Sequence, residues 1–179
     1  MAASAILRIV GFAVFTLALV VAFWRTLGKG WTHAVPRLAA FEAILGLVFL
    51  NAPTWFVAPF ILRQACSWAL LVASLLLALH GFRMLRSRGA PTHGIESTTT
   101  LVRRGAYRYI RHPLYLSLML LAAGAFLKGP AVGAGGLLLL AVGGLALAAV
   151  TEERENLERF GEAYRDYMRA SKRFIPFLL

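Results

Sequence analysis

Five long apolar runs constrain this chain more than any other feature of its sequence. They cover residues 4–24, 38–56, 64–82, 114–127 and 131–150. An α-helix needs about 20 mainly apolar residues to cross the ~30 Å hydrocarbon core of a bilayer. The composition agrees with that reading, since 59% of the residues are hydrophobic and only 15% are charged. The sequence predicts an all-α fold: an integral membrane helical bundle of about five transmembrane helices with a C-terminal cytosolic amphipathic helix.

We expect residues 1–179 to form a single membrane domain with four parts. Three N-terminal spans occupy residues 1–82, a basic cytosolic segment covers 83–113, a helical hairpin covers 114–150, and a C-terminal helix and tail cover 151–179. The first run is predicted to be a retained span rather than a signal peptide, because Arg25 and Lys29 follow it. A polar link is predicted from Arg25 to Arg37. Thr151 either caps a separate last helix or lies within a continued fifth span.

The glycines of the fifth run, five in all, are predicted to let another helix pack closely against it. Two ionisable residues near span ends, Glu42 and His80, are predicted to be interfacial and to carry no chemistry. Cys66 is the single cysteine, which rules out an intrachain disulfide. The four histidines are scattered without cysteine or paired-carboxylate spacing, so no metal site is predicted.

The distribution of positive charge predicts the orientation in the membrane. The formal net charge is +11, which in a soluble protein would suggest a nucleic-acid partner. In a membrane protein the positive-inside rule and anionic lipid account for it, so no nucleic acid is expected. With five spans, 16 of the 19 Lys and Arg residues fall on one side. The sequence therefore predicts an N-terminus outside and a C-terminus in the cytosol.

The densest polar chemistry lies at the start of the fourth apolar run. The stretch from Arg103 to Tyr115 reads R-R-G-A-Y-R-Y-I-R-H-P-L-Y. Pro113 suits the first position of a helix and disfavours helical geometry at His112, which is therefore placed near an N-cap. The free N–H groups of that helix start, with Arg108 and Arg111 nearby, would hold a carboxylate or a phosphate. The alternative is a juxtamembrane basic-aromatic anchor for lipid headgroups.

Most of the carboxylates lie in one place as well. Six of the eight fall between Glu152 and Asp166, and Glu152 and Glu153 come first, at the membrane end of the last span. A carboxylate pair there is costly unless it meets cations or a polar ligand. Together with the arginine-rich stretch it would form a cytosolic cavity that suits a zwitterionic ligand with a flat ring, such as S-adenosylmethionine.

Both stretches resemble the isoprenylcysteine carboxyl methyltransferase family, which is grouped with the phospholipid N-methyltransferases. Residues 105–115, G-A-Y-R-Y-I-R-H-P-L-Y, are similar to its G-P-Y-x-x-x-R-H-P-x-Y signature. Residues 152–176 follow its E-E-x-x-x-L-x-x-F-G-x-x-Y-x-x-Y…R-x-I-P order. The likeness covers about residues 97 to 177. Two positions depart from the pattern: Ala106 replaces the usual proline, and Ser117 stands where glycine is common.

The resemblance implies a methyltransferase without a Rossmann domain that uses S-adenosyl-L-methionine and releases S-adenosyl-L-homocysteine. It implies catalytic roles for His112, Arg111 and Glu153. The same likeness implies that His112 and Tyr115 line the cofactor site with Tyr107 and Arg111 beside them, and that Glu152 and Glu153 meet the methionine amine or the ribose. The residues implied to close over the adenosine are Tyr164, Tyr167, Arg173 and Ile175.

The methyl acceptor is left open among lipophilic or lipid-linked molecules that reach the site from the membrane. A prenylcysteine-like carboxylate comes first, and it needs no base. A phosphatidylethanolamine amine needs one, for which His112 or a glutamate is the candidate. A small lipophilic thiol or acid is the third possibility. Outside this class, an NADPH-dependent membrane reductase or a non-enzymatic, lipid-binding scaffold remains.

Overall fold

The structure is a computed structural model that describes residues 2–27, 31–57, 61–89 and 99–176. The described chain is helical, and its one β-type pairing is an isolated bridge between Ile110 and Lys172. The predicted all-α fold is thus confirmed. The helices are α1 (Ala2–Leu27), α2 (Trp31–Asn51), α3 (Leu62–Arg88), α4 (Pro113–Lys128), α5 (Val132–Phe160) and α6 (Glu162–Ala170), with short 3-10 turns at Ala52–Thr54 and Gly105–Arg108.

Four of these helices, α1, α2, α3 and α5, are long and apolar enough to cross a membrane. The fifth apolar helix, α4, has 16 residues, which gives a length of about 24 Å at 1.5 Å per residue. Four full spans and one short apolar helix agree with the predicted bundle of about five. The orientation of the bundle stays a prediction.

The fifth span continues without a break past Thr151. Its 29 residues extend about 43 Å, more than the ~30 Å of hydrocarbon, so its last turns extend beyond the membrane. The helix ends at Phe160 because Gly161 adopts φ +55°, a left-handed conformation that glycine takes at little cost. Of the two predicted possibilities for Thr151, the continued span is the correct one.

The predicted polar link from Arg25 to Arg37 is wrong over most of its length. Helix α1 continues to Leu27 and α2 already begins at Trp31, with Pro36 inside it; residues 28–30 lie outside the described ranges. Pro36 is the sixth residue of α2, in its second turn, where a proline removes one backbone hydrogen bond. Helix α3 likewise extends six residues beyond the predicted end at Phe82.

The described chain divides into two compact units, of which the first comprises residues 1–71 and 121–148. Within it, α1 packs on α2 through aromatic contacts, with the Phe23 and Phe41 rings 5.6 Å apart. The hydroxyl of Thr16 donates to Glu42 Oε2 at 2.8 Å, so Glu42, predicted to reach water, is half-buried between these helices. Whether the whole chain is one domain stays a prediction.

Close packing at the glycines of α5 occurs at one position within the described residues. A Cβ on Gly144 would lie 2.6 Å from the carbonyl oxygen of Pro36, so only glycine lets α2 approach so closely there. The other four have open space where a Cβ would stand: Gly133, Gly135, Gly136 and Gly143.

The C-terminal end of the short helix α4 is capped by side chains from the same unit. The guanidinium of Arg63 donates to the carbonyls of Leu127 and of Lys128, the latter at 2.7 Å. The amide of Asn51 donates to Ala125 O at 2.9 Å. The last carbonyls of a helix have no intrahelical donor, and a helix too short to reach the headgroups leaves them in apolar surroundings. These side chains therefore allow a 16-residue helix to end inside the bundle.

Lys128 itself is fully buried in this unit. Its ammonium donates to Gln64 Oε1 at 3.0 Å. The nitrogen also lies 3.7 Å from the centroid of the Trp68 ring and 5.6 Å from that of Trp55. Two aromatic faces and an amide oxygen thus compensate for the water that the ammonium loses on burial.

The second unit comprises residues 72–120 and 149–179, and its C-terminal tail pairs with the segment before α4. The N–H of Arg111 donates to Lys172 O at 2.7 Å, and the N–H of Lys172 donates to Tyr109 O at 2.9 Å. The N–H of His112 then donates to Arg173 O at 3.2 Å. The tail is held beside both halves of the predicted site.

Candidate functional site

A cavity in the second unit gathers residues from both predicted site stretches. Its walls come from the end of α3, the segment before α4 and its first turn, the end of α5, and α6. The predicted site residues among its lining are Tyr107, Arg111, His112, Tyr115, Glu152, Tyr164 and Tyr167. Two stretches about 40 residues apart in the sequence therefore form one cavity.

Glu153 lies beside this cavity rather than in its wall, at the centre of an ion cluster. It is 3% exposed. Arg111 Nε donates to Glu153 Oε1 at 2.7 Å, and the terminal nitrogen of Arg173 donates to Oε2 at 2.7 Å. The carboxylate raises the pKa of Arg173 through these hydrogen bonds. Glu153 thus links the segment before α4 to the C-terminal tail, whereas its neighbour Glu152 faces the cavity.

Arg111 is shared between the cavity and the cluster. Besides Glu153, its guanidinium donates to the carbonyls of Ser171 and Met168. The side chain therefore fixes the end of α6 and the start of the tail. The guanidinium of Arg111 thus already donates to three acceptors within the protein, and few of its N–H groups remain for a second carboxylate.

His112 occupies the predicted position at the start of α4, directly before Pro113. Its ring is 5% exposed and stacks on Tyr115, with ring centroids 5.4 Å apart and planes inclined by 14°. Its Nε2 lies 3.4 Å from Glu153 Oε1 and forms no hydrogen bond to the described residues. This buried ring nitrogen at a cavity wall is therefore open to a hydrogen bond with a ligand.

Four tyrosines line the cavity. Burial raises the pKa values of Tyr107 and Tyr167, and it raises the pKa of Tyr164 to about 12, with the charges of Glu153 and Glu152 adding to the effect. These three phenols are therefore neutral at physiological pH. The hydroxyl of Tyr167 donates to Tyr107 O at 2.6 Å, which ties α6 to the turn at 105–108.

The remaining predicted residues lie away from this cavity. Arg173 lines a second, basic groove with Arg111, Lys172 and Phe174. Ile175 is 46% exposed and lines neither space. Among the described residues, the structure thus brings seven predicted side chains to one cavity, places Glu153 and Arg173 beside it, and leaves Ile175 outside.

Six further residues line the cavity without having been predicted. Asn156 is the one with polar chemistry, and it lies one turn after Glu152 on α5. That i, i+4 spacing places both on one helix face and could have identified it. The others form an apolar part of the wall: Leu85, Leu101, Val102, Leu114 and Phe160.

The chain is similar to two curated proteins. It is 33% identical over 117 residues to the methanethiol S-methyltransferase of Mycobacterium tuberculosis, which covers 61% of this chain and 45% of that protein. It is 35% identical over 72 residues to methanethiol S-methyltransferase 1 of Bradyrhizobium diazoefficiens, which covers 39% of this chain and 24% of that protein. The chain thus spans less than half the length of these relatives. No protein-family model matches the chain, and no solved structure matches it.

Proposed function

We propose that this protein is a membrane methyltransferase that uses S-adenosyl-L-methionine to methylate a small lipophilic thiol. The observation that carries the proposal is the cavity: two separate motif stretches contribute seven side chains to it. The names of the two similar proteins, which both act on methanethiol, support the reaction class and a thiol acceptor.

The residues of the cavity suit the cofactor. A methionine carboxylate matches the positive end of the α4 helix dipole beside His112. Glu152 provides the carboxylate for an amine or a ribose hydroxyl. The faces of Tyr115 and Tyr164 suit a flat base and a sulfonium cation. When bound, the cofactor would supply an electrophilic methyl group on that sulfonium.

A thiol acceptor fits the cavity better than a carboxylate does. The cation in its lining is Arg111, whose guanidinium already donates to Glu153 and to two carbonyls. An acceptor carboxylate would have to compete with these contacts. The apolar wall around Leu114 and Phe160 suits a small uncharged molecule. The prenylcysteine-like carboxylate that the family resemblance puts first stays a prediction.

His112 is the residue that we assign to the thiol proton. A thiol is a weak nucleophile until it becomes a thiolate. The Nε2 of His112 is free of hydrogen bonds to the described residues, so it can take that proton as general base. Glu153 Oε1, at 3.4 Å, would stabilise the resulting imidazolium. Burial from water favours transfer, because charge is neutralised when a thiolate attacks a sulfonium.

Binding of S-adenosylhomocysteine to the protein in detergent, measured by calorimetry, tests the cofactor assignment. We expect binding by the native chain, at least tenfold weaker binding by Glu152→Gln, and native binding by Glu158→Gln, which changes an exposed carboxylate of the same helix. NADPH is the control ligand. A folded protein that binds NADPH but not S-adenosylhomocysteine would be a reductase.

Transfer of labelled methyl groups from S-adenosylmethionine tests the acceptor. The acceptors are an alkanethiol, a prenylcysteine analogue with a free carboxylate, and phosphatidylethanolamine vesicles. We expect label in the thioether product and loss of transfer in His112→Ala. Label in the ester or in the phospholipid would overturn the thiol assignment and leave the methyltransferase class intact.

A further inference from the structure

The 3-10 turn Gly105–Arg108, which carries Tyr107, is held by a side chain from another helix. The residue before the turn, Arg104, provides no side-chain cap. The N–H of Ala106 donates instead to His80 Nε2 at 3.1 Å, from 26 residues earlier in α3. The first N–H groups of a helical turn usually donate to the side-chain oxygen of a neighbouring Ser, Thr, Asp or Asn. Here the acceptor comes from tertiary structure.

The backbone of the turn is shaped to receive this imidazole. Gly105 adopts φ +60°, and a Cβ on it would lie 2.4 Å from His80 Nε2. The next residue on α3, Gly81, also lacks space for a side chain. A Cβ there would lie 2.7 Å from Leu114 Cδ2 and 3.7 Å from the Tyr107 hydroxyl. His80 and Gly81 thus lie against the turn and against a wall of the cavity.

A displacement of the turn would reach the cavity through two tyrosines. Tyr107 is 7% exposed and lines the cavity. Its carbonyl accepts the hydrogen bond from the hydroxyl of Tyr167, a second lining residue. The position of the turn therefore sets the position of both rings.

We propose that His80 is a positioning residue of the cavity: as an acceptor at Nε2 it fixes the turn that carries Tyr107. Donation from Ala106 requires a lone pair on Nε2, so the ring nitrogen that can donate elsewhere is Nδ1. This assigns a role to a residue that the sequence indicates to be merely interfacial. The effect on ligand affinity rests on the proposed function, whereas the effect on the turn does not.

Hydrogen exchange of the peptide 101–110, without ligand and in detergent, tests the role directly. We expect His80→Leu to raise the exchange of this peptide about tenfold, the change expected for one net hydrogen bond. His80→Gln should stay within about threefold of the native chain, because its amide oxygen can accept from Ala106. Leu76→Met, at an exposed position one turn earlier on the same face of α3, is the matched control and should leave exchange unchanged. Equal exchange in His80→Leu and His80→Gln would overturn the proposal.

Affinity for S-adenosylhomocysteine is then measured on the same samples. We expect about tenfold weaker binding by His80→Leu and near-native binding by His80→Gln. Native affinity in a His80→Leu protein whose turn exchanges faster would show that the turn does not position the cavity, and would also overturn the proposal. Failure of the native chain to bind would refute the cofactor assignment, while the exchange result would still decide the role of His80.

Three further variants, Gly105→Ala, His80→Ala and the double variant of both, cover the case that His80→Leu does not fold. Gly105→Ala places a methyl group against the imidazole, so we expect faster exchange of the same peptide. Removing the imidazole in the double variant His80→Ala/Gly105→Ala relieves the collision but not the strain of a positive φ. If His80 does not contact the turn, the effects of the two single changes on exchange add up in the double variant. Such additivity would contradict the proposal.

Discussion

Replacing Glu153 by glutamine tests the contribution of the ion cluster to stability, apart from the role of the cavity in binding. The change keeps the shape of the side chain and removes its charge. It leaves the guanidinium of Arg111, whose side chain is 9% exposed, without a carboxylate. Breaking a buried ion pair at one partner costs roughly 3–5 kcal/mol. Because the side chain of Arg173 is 36% exposed, water screens the contribution of the Arg173–Glu153 pair. We therefore expect the free energy of unfolding to fall by an amount near the lower limit, ~3 kcal/mol.

Thermal unfolding in detergent, with and without S-adenosylhomocysteine, checks this expectation. A loss of ~3 kcal/mol corresponds to a midpoint lower by about 6–12 °C for a chain of this size. Glu152→Gln, the matched variant, changes the carboxylate that lines the cavity. We expect it to unfold near the native temperature but to lose the stabilisation that the ligand provides. The reasoning is refuted if Glu153→Gln unfolds at the native temperature, or if Glu152→Gln is the less stable of the two.

Three smaller predictions concern other parts of the chain. Arg63→Met leaves the last carbonyls of α4 unsatisfied and should cost about 1–3 kcal/mol in detergent unfolding. Gly161→Ala should cost about 1–3 kcal/mol, from its backbone conformation of φ +55° and ψ −130° alone, since a Cβ there meets no neighbour; Gly143→Ala is the control. Because burial raises the pKa of Tyr164 to about 12, the stability gained from its neutral phenol is complete below pH 10 and is lost as the pH rises through 12. Tyrosinate absorbance should show an alkaline step that is absent in Tyr164→Phe.

The apolar runs predicted the helices well, because burial in a bilayer requires every backbone group to bond within its own segment. The prediction was wrong at residues 31–37, which were predicted to belong to a polar link and form the first turns of α2. A proline removes one hydrogen bond of the helix that contains it, and in α2 that bond lies near the helix start. Local sequence does not show how far upstream a helix begins, so the start of α2 at Trp31 could not be predicted.

The sequence predicted which two stretches meet at the cavity, but not which other residues line it or hold its parts in place. Motif resemblance pointed to both stretches that form it. It could not show that Leu85 and His80, on a helix without any motif, complete the wall and hold the turn. Those contacts depend on how residues 72–88 of α3 pack within the second unit. Packing partners distant in sequence leave no periodic signal in one chain.

The two adjacent carboxylates show most clearly where sequence reasoning ends. Successive residues on an α-helix point about 100° apart, so Glu152 and Glu153 cannot face the same surroundings. Either could line the cavity, and only the rotation of α5 decides between them. In the structure that rotation points Glu153 at Arg111 and Arg173, where a carboxylate can be buried because two guanidinium groups satisfy it. Glu152 is then the carboxylate that lines the cavity, and we expect the tail that Glu153 holds in place to support the cavity without lining it.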